Sequence, residues 1–206
     1  MYPNTQITVF ILAALVLFGC GKKKMGVADY QHYIGNPENG LKIETERQGM
    51  KTEFSVEPLD WQAFKASYAD NGVDKEKFAG YKKDNTGLLQ CSFKVYLPDG
   101  TSLYDYFAGH YENPGEAMLY AEYDMKDDFR LMLPSGDSLH AFATHHQPSF
   151  GIKPYEEFLV LFRTADKDIE SKELDILYRD NLFGLQNLSY RFGGETMRHI
   201  PILNIQ

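Results

Sequence analysis

The feature that most constrains the fold is the alternation of polar and apolar residues on both sides of Gln48-Gly49. Residues 41–47 and 51–57 alternate with a period of two, which places successive side chains on opposite faces of a strand. A dipeptide of this kind between two such runs is typical of a β-hairpin. The pattern therefore predicts a hairpin with one buried face. The residues on that face are Met50, Thr52, Phe54 and Val56.

Aromatic residues also favour β structure. The chain has 14 Tyr and 14 Phe, and strands accept aromatic side chains readily. Residues 155–163 are apolar on both faces, which is typical of a central strand. Residues 174–179 and 188–192 predict two further strands, and Gly193-Gly194 is expected to end the second of them.

Two short helices are predicted after the hairpin. Pro58 is expected to open the first, residues 59–69, and Asn71-Gly72 to end it in a left-handed conformation. The second, residues 74–82, has Asp74 at its N-cap, because an aspartate there accepts hydrogen bonds from the first free backbone N–H groups.

A third helix has the clearest start signal in the chain. Asn113 stands at the cap, Pro114 at the first helical position and Glu116 at capping-box spacing. The helix is predicted to extend to about Lys126. Acidic residues near that end oppose the helix dipole and favour an early stop.

The middle of the chain contains two similar segments. Residues 93–103 read FKVYLPDGTSL and residues 129–139 read FRLMLPSGDSL. In each, a Pro and a Gly occupy positions suited to a tight turn between strands. The similarity predicts two related hairpins, either a duplication or a chance resemblance between ordinary hairpins.

Together these patterns predict an α+β fold. We expect a mainly antiparallel β-sheet or sandwich of about nine strands with two or three short helices. A hydrophobic content of 43% is sufficient for a core, so residues 30–206 are expected to form a single globular domain.

The N-terminus carries a different kind of pattern. A largely apolar run, residues 7–18, precedes Gly19-Cys20. The run is about 12 residues, shorter than the ~20 that a helix needs to cross a bilayer. Leu17-Phe18-Gly19-Cys20 resembles the signal of bacterial lipoproteins that signal peptidase II cleaves. A signal anchor that stays uncleaved and a buried N-terminal helix are the alternatives.

The resemblance implies a covalent anchor. Residues 1–19 would be the signal peptide, and Cys20 the first mature residue, with a diacylglycerol on its sulfur. Two or three acyl chains, at ~0.8 kcal/mol per buried CH₂, hold a protein stably on a membrane. Residues 20–29 would form the lipidated cysteine and a short basic linker, whose lysines meet anionic head groups.

The resemblance also implies a location in the cell. Gly21 follows Cys20 where an aspartate would signal retention at the inner membrane. We therefore expect a location at the outer membrane, lipid-anchored, on its periplasmic face. The mature region resembles the uncharacterised lipoproteins of Gram-negative envelopes.

Charge and cysteine content exclude several classes of protein. The net charge of −8 repels nucleic acid, so no nucleic-acid partner is expected. With Cys20 lipidated, Cys91 has no disulfide partner. Its position in a strand-like run indicates a buried, small apolar side chain.

Two patterns suggest metal binding only weakly. His140, His145 and His146 are a candidate zinc or copper cluster, but neighbouring residues on a strand point to opposite faces. Residues 166–170 alternate carboxylates as calcium loops do, yet they lack the Gly and the bidentate Glu of such loops. We expect no metal and no cofactor.

Catalytic motifs are not evident. The chain has no G-x-S-x-G, H-E-x-x-H, G-x-x-x-x-G-K-[ST] or C-x-x-C sequence, so we do not expect an enzyme. Tyrosines offer an apolar ring with a polar tip, which suits ligand binding. Tyr104, Tyr106 and Tyr111 are the candidate ligand-binding residues.

These features predict a lipid-anchored envelope protein that acts by binding. The first expectation is a scaffold or accessory subunit with a protein partner in the envelope. The alternative is a carbohydrate-binding lipoprotein that uses the tyrosine-rich surface to bind a glycan.

Overall fold

A computed structural model describes residues 22–70, 72–133, 136–165 and 169–205. The predicted signal peptide, residues 1–19, and Cys20 lie outside the described residues. So do residues 166–168 of the acidic loop and residues 134–135 of the second predicted hairpin.

The fold is α+β and mainly antiparallel, as predicted. Within the described ranges it has thirteen strands and six α-helices, so the predictions of about nine strands and of two or three helices were both too low. The strands are β1 (Lys24–Met25), β2 (Lys42–Arg47), β3 (Met50–Glu57), β4 (Tyr68–Ala69), β5 (Gly72–Val73), β6 (Leu88–Tyr96), β7 (Phe129–Met132), β8 (Ser138–His140), β9 (Ala143–Gln147), β10 (Glu156–Arg163), β11 (Leu174–Tyr178), β12 (Leu188–Phe192) and β13 (Ile202–Leu203). The helices are α1 (Val27–Gly35), α2 (Leu59–Ser67), α3 (Lys75–Asp84), α4 (Leu103–His110), α5 (Pro114–Leu119) and α6 (Gly194–Arg198).

Two antiparallel sheets form the body of the domain. The order of strands is β2-β3-β6-β10-β9 in the five-stranded sheet and β12-β11-β7-β8 in the four-stranded sheet. Two further pairs are smaller: β4 with β5, antiparallel, and β1 with β13, parallel. β10 lies between β6 and β9, which confirms its prediction as a central strand.

The predicted hairpin is confirmed as β2 and β3. Its turn has positive φ at Gln48 (52°) and Gly49 (76°), the arrangement whose twist matches that of paired strands. The predicted inner face is buried in full. Local turn chemistry and a period of two therefore determined this register.

Aromatic side chains join the two sheets. Phe54 of β3 stacks on Tyr190 of β12 with ring centroids 4.6 Å apart, and Phe93 of β6 lies 4.8 Å from Tyr178 of β11. Such pairs add about 0.5–1.5 kcal/mol each beyond the burial of their area. The hydroxyls of Tyr190 and Thr52 share a hydrogen bond of 3.0 Å inside this core. The two sheets thus form a sandwich with a largely aromatic interior.

Cys91 lies in β6 at the centre of this interior, as predicted. It is a free cysteine with no exposed surface. Burial raises the pKa of its thiol well above the usual range, so the residue acts as an apolar packing group.

The prediction of two related hairpins was wrong for the first segment. β6 is followed by a 3₁₀ turn at Pro98–Gly100 and then by α4. Ser102 caps that helix, because its hydroxyl accepts the backbone N–H of Asp105. In the second segment β7 and β8 do pair, as a hairpin should.

The third predicted helix begins where expected and then changes form. Asn113 accepts the N–H of Glu116, which confirms the cap. The α-helix ends at Leu119, and a π turn (Tyr120–Asp124) and a 3₁₀ turn (Met125–Asp128) continue it. The early end agrees with the unfavourable acidic residues near the C-terminus of the helix.

The segment expected to be a linker is partly built into the fold. Lys23 accepts the N–H of Ile202, and Met25 accepts the N–H of Asn204, at 2.8 and 2.7 Å. α1 follows and buries Tyr30 completely. The chain therefore enters the domain at Lys23, well before residue 30. Among the described residues, no helix has the length and apolar character to cross a membrane.

Candidate functional site

The five-stranded sheet has two ends with different chemistry. β10 begins at Glu156, opposite Val95, and finishes at Arg163, opposite Leu88. The β9–β10 loop, residues 148–155, lies at the first of these ends together with the turn of the β2–β3 hairpin. We call this the loop end.

The opposite end receives the first residues that the structure describes, from Lys22 onward. β3 finishes there at Glu57, opposite Gln90, and α2 begins two residues later. Lys22, Asp60 of α2 and Glu170 line one cavity at this end. We call it the entry end. β10 has eight residues, so about 25 Å of strand separates the two ends.

A buried carboxylate holds the β9–β10 loop. Glu156 is 3% exposed. Its Oε1 accepts the hydroxyl of Ser149 at 2.6 Å, and its Oε2 accepts the backbone N–H of Ser149 at 3.1 Å. Nε2 of His146 lies 2.9 Å from the same Oε2. Because charge-assisted hydrogen bonds are the stronger kind, this network fixes the start of the loop.

His146 connects the network to the helical side of the fold. Its Nδ1 lies 3.1 Å from Oε1 of Glu122 in the π turn, and its ring stacks on Phe158 at 5.0 Å. Both ring nitrogens thus lie within hydrogen-bond distance of carboxylate oxygens. The loop is therefore tied both to the sheet and to the segment after α5.

The tip of the loop is a tight turn with an unusual residue. Ile152 donates its N–H to the carbonyl of Ser149 at 3.0 Å, and the two central residues, Phe150 and Gly151, have φ of 49° and 71°. Asn and Gly are the usual residues at such positive φ angles. A side chain like that of Phe150 costs roughly 1–2 kcal/mol in this conformation.

The turn displays two apolar side chains to solvent. Phe150 is 84% exposed and Ile152 is 86% exposed. Neither side chain gains stability by burial in the domain, while the backbone beneath them is strained and held by a buried network. Strain that the surrounding structure maintains is characteristic of functional positions. The β9–β10 loop is therefore the candidate docking site.

The histidine cluster considered for metal binding is distributed over the fold. His145 is exposed and His146 is buried, as expected for neighbours on β9, and His140 is exposed on β8. No group of three or more His, Cys, Asp or Glu among the described residues is arranged to hold a metal ion. The buried His146 instead supports the loop.

This buried cluster does not have the geometry of a nucleophilic site. The hydroxyl of Ser149 donates to Glu156 and accepts the N–H of Gly151, so it is not directed at His146. A nucleophilic serine needs its hydroxyl on the histidine and free access to substrate. The chemistry of the cluster is structural.

The three candidate tyrosines do not share one surface. Tyr104 is 54% exposed on α4, whereas Tyr106 is 7% exposed and donates its hydroxyl to the carbonyl of Phe183. Tyr111 donates its hydroxyl to the carbonyl of Leu182 at 2.7 Å. Tyr106 and Tyr111 thus anchor the segment that follows β11.

Tyr111 does line a groove beside α5. Its volume is about 390 Å³, within the range of small-ligand sites. We call it the α5 groove. The polar and aromatic residues that line it are Tyr111, Glu112, Asn113, Glu116, Tyr120 and Asn181. Of the three tyrosines predicted from the sequence, only Tyr111 reaches it.

The β9–β10 loop was not singled out in the sequence analysis. The available signal was the pair of apolar residues, Phe150 and Ile152, inside a Pro- and Gly-containing stretch. Such a stretch is normally polar, so large apolar side chains within it indicate display.

Comparisons with known proteins give no family for the chain. No protein-family model matches it, and no curated protein matches it. Among solved structures, a novel protein of unknown function from Burkholderia pseudomallei is similar, with a TM-score of 0.42 and 10% sequence identity. The match covers 84% of this chain and 88% of that one.

Proposed function

We propose that this chain is a lipid-anchored protein of the bacterial envelope that docks a partner protein through its β9–β10 loop. The observation that carries the proposal is the display of Phe150 and Ile152 on a strained turn fixed by the buried Glu156 network. Rigid apolar side chains of this kind are characteristic of interface hot spots, because little entropy is lost when they are buried.

The position of the anchor supports a protein partner. Lys23 is already part of the fold, so only two residues lie between it and Cys20, and the two Cα atoms are at most about 11 Å apart. A lipid on Cys20 therefore keeps the entry end at the bilayer surface. The loop end lies about 25 Å away along β10, where a second envelope protein is accessible.

The proposal describes a scaffold or accessory subunit that works by binding and not by catalysis. The outer membrane, on its periplasmic face, is the proposed location. A domain held this close to the membrane meets partners in the same envelope layer, and tethering raises the effective concentration of one partner near the other.

Site-specific photo-crosslinking in the native envelope tests the docking site. A photoreactive phenylalanine analogue at position 150 is expected to crosslink to one membrane-associated protein, while the analogue at Leu119, an exposed apolar residue on α5, is not. With purified partner, Ile152→Ser is expected to weaken binding at least tenfold. Equal crosslinking from both positions, or unchanged affinity of the Ile152→Ser protein, would contradict the proposal.

The anchor has a separate test. Protein extracted from native membranes is expected to begin at Cys20 and to carry acyl mass, and Cys20→Ala is expected to release the protein from the membrane fraction. An intact mass with residues 1–19 and an unmodified Cys20 would refute the lipid anchor.

A second candidate function is glycan binding in the α5 groove. The combination of tyrosine rings, amides and carboxylates is one that suits sugar rings and their hydroxyls. A glycan array tests it: selective binding that Glu112→Gln and Glu116→Gln abolish, and that Tyr104→Ala leaves intact, would favour this function over protein docking.

A further inference from the structure

The entry end contains a polar cavity that the docking proposal does not use. Its volume is about 330 Å³, near the lower limit for small-ligand sites. Segments distant in sequence build it: the N-terminus, α1, α2, α3 and the turn before β11. The residues that matter for its chemistry are Lys22, Tyr30, Asp60, Lys82 and Glu170.

Tyr30 lines this cavity and has no surface exposed to bulk solvent. Its hydroxyl has no hydrogen-bond partner among the residues that the structure describes. Burial, together with the nearby carboxylates of Asp60 and Glu170, raises the pKa of this phenol far above its usual range. An unsatisfied buried hydroxyl destabilises the unliganded fold, and a ligand that supplies the missing hydrogen bond removes that cost.

Two acidic groups flank this hydroxyl. Oε1 of Glu170 accepts the N–H of Leu59 at 2.9 Å, and burial raises the pKa of Glu170 to about 7. Oδ2 of Asp60 accepts the N–H of Leu203 at 2.9 Å. Both carboxylates therefore have fixed positions around the cavity, one of them in an environment that favours an incoming cation.

Two lysines supply the opposite charge. Lys82 of α3 forms an ion pair with Asp60, and Lys22 stands where the chain enters the fold. The charges of Lys22 and Lys82 both act on the carboxyl of Glu170 and oppose the effect of its burial. Carboxyl, phenol and ammonium groups thus line one small cavity, where Lys82 and Asp60 are in direct contact.

We propose that the entry-end cavity binds a phosphorylated primary amine of the phosphoethanolamine type. The ligand's ammonium group donates hydrogen bonds to Glu170 and to the hydroxyl oxygen of Tyr30, and its phosphate pairs with Lys22 and Lys82. A primary ammonium has the N–H donors that the phenol oxygen requires, whereas a quaternary ammonium has none. The volume accommodates a head group and excludes large ligands.

Two sources share this chemistry: the free compound and the head group of a phosphatidylethanolamine lipid. The lipid source rests on the proposed anchor, which brings the cavity to the bilayer surface. Binding of the free compound does not depend on the anchor.

The single tryptophan provides the measurement. Trp61 stacks on Tyr30 with ring centroids 6.2 Å apart, so its fluorescence reports on the cavity. The full chain, purified in detergent, is titrated with O-phosphoethanolamine, and with phosphocholine and inorganic phosphate for comparison. We expect a saturable change at concentrations at least tenfold lower for O-phosphoethanolamine than for the other two.

Variants test the groups proposed to bind the ammonium and the phosphate of the ligand separately. Tyr30→Phe and Lys22→Gln are each expected to weaken binding of O-phosphoethanolamine about tenfold, or ~1.4 kcal/mol, while Glu46→Gln, at an exposed position on β2, leaves it unchanged. Two results would overturn the proposal. One is the absence of a saturable response below about 10 mM, which corresponds to a binding free energy weaker than ~3 kcal/mol; the other is an equal response to phosphocholine.

Vesicles distinguish the two sources. The fluorescence change of the bound state is expected in phosphatidylethanolamine vesicles and not in phosphatidylcholine vesicles. A response to the free compound but to neither vesicle supports the cavity and rejects the lipid source. If the protein associates with neither kind of vesicle, the lipid anchor is contradicted. The titration with free O-phosphoethanolamine then tests the cavity by itself.

Discussion

The two ends of the five-stranded sheet use buried polar groups in opposite ways. At the loop end, Glu156 has partners on both oxygens, and the network holds apolar side chains out in solvent. At the entry end, the hydroxyl of Tyr30 is buried without a partner, and Glu170 lies among charges of both signs. A satisfied network supports a surface, whereas an unsatisfied group points to a missing ligand.

This contrast implies different responses to mutation. Removing a group from the satisfied network should destabilise the fold, because its partners stay buried and lose their hydrogen bonds. Removing the unpartnered group should stabilise the unliganded fold. The four predictions below test that contrast in order of expected effect.

The largest effect is expected at Glu156. Glu156→Ala leaves Ser149 and His146 without their acceptor, and the free energy of unfolding should fall by about 3 kcal/mol. Urea unfolding followed by Trp61 fluorescence measures it. Glu112→Ala, which changes an exposed carboxylate, is the control and should stay within about 0.5 kcal/mol of wild type. A loss below about 1 kcal/mol for Glu156→Ala would contradict the structural role of the network.

Glu170 is expected to make stability depend on pH. Burial raises its pKa from 4.5 to about 7, Asp60 adds to the rise, and Lys22 and Lys82 oppose it. Between these two values the folded state binds more protons than the unfolded state, so the free energy of unfolding falls as pH rises through this window. Relative to Glu170→Gln, the wild type should lose about 2–3 kcal/mol between pH 4 and pH 8. If the free energy of unfolding changed with pH in the same way in both proteins, Glu170 would not be the origin of the pH dependence.

Tyr30 and Tyr190 form a matched pair of buried tyrosines. Tyr190 shares a hydrogen bond with Thr52, whereas the Tyr30 hydroxyl has none. We expect Tyr30→Phe to raise the unliganded free energy of unfolding by about 1 kcal/mol and Tyr190→Phe to lower it by about 1 kcal/mol. Thermal or urea unfolding of both variants measures these changes. A change of the same sign in both variants would contradict the difference proposed between the two tyrosines.

The smallest effect on stability is expected at Phe150. Phe150→Gly relieves the positive φ of the turn and should raise the free energy of unfolding by up to about 1 kcal/mol. The same variant should bind the purified partner at least tenfold more weakly. A more stable domain that no longer binds would show that strain is maintained for function, while a destabilised variant that binds normally would show the reverse.

The sequence predicted elements well where their signals are local. The β2–β3 hairpin follows from alternation and from one dipeptide, and the starts of α3 and α5 follow from Asp74 and Asn113. Each of these depends on residues within about four positions of one another. For the same reason β12 was predicted with its observed bounds.

Helix α4 was missed because its local signals conflict. Its tyrosines and phenylalanine favour strands, and the preceding Pro98-Asp99-Gly100 resembles a hairpin turn. The deciding contacts are the Ser102 cap and the burial of Tyr106 and Phe107. Packing against the core overrode the aromatic preference for strands.

The network at the loop end could not be predicted from the sequence, for a related reason. His146, Ser149 and Glu156 are close in sequence, but they meet only because β9 and β10 pair and bring His146 opposite Phe158. The strain at Phe150 cannot be inferred from residue type, because it depends on the closed hairpin.

Composition and short-range pattern alone predicted the antiparallel α+β class, which the structure confirms. The expectation of a lipid on Cys20 came instead from the resemblance of residues 17–20 to a lipoprotein signal. The tertiary structure decided that residues before 30 belong to the domain, that Phe150 is displayed, and that Lys22, Asp60 and Glu170 share a cavity. The physical reason is the sequence separation over which each effect acts. Periodicity and helix caps depend on residues a few positions apart, whereas burial and the electrostatic environment depend on segments that only the folded chain brings together.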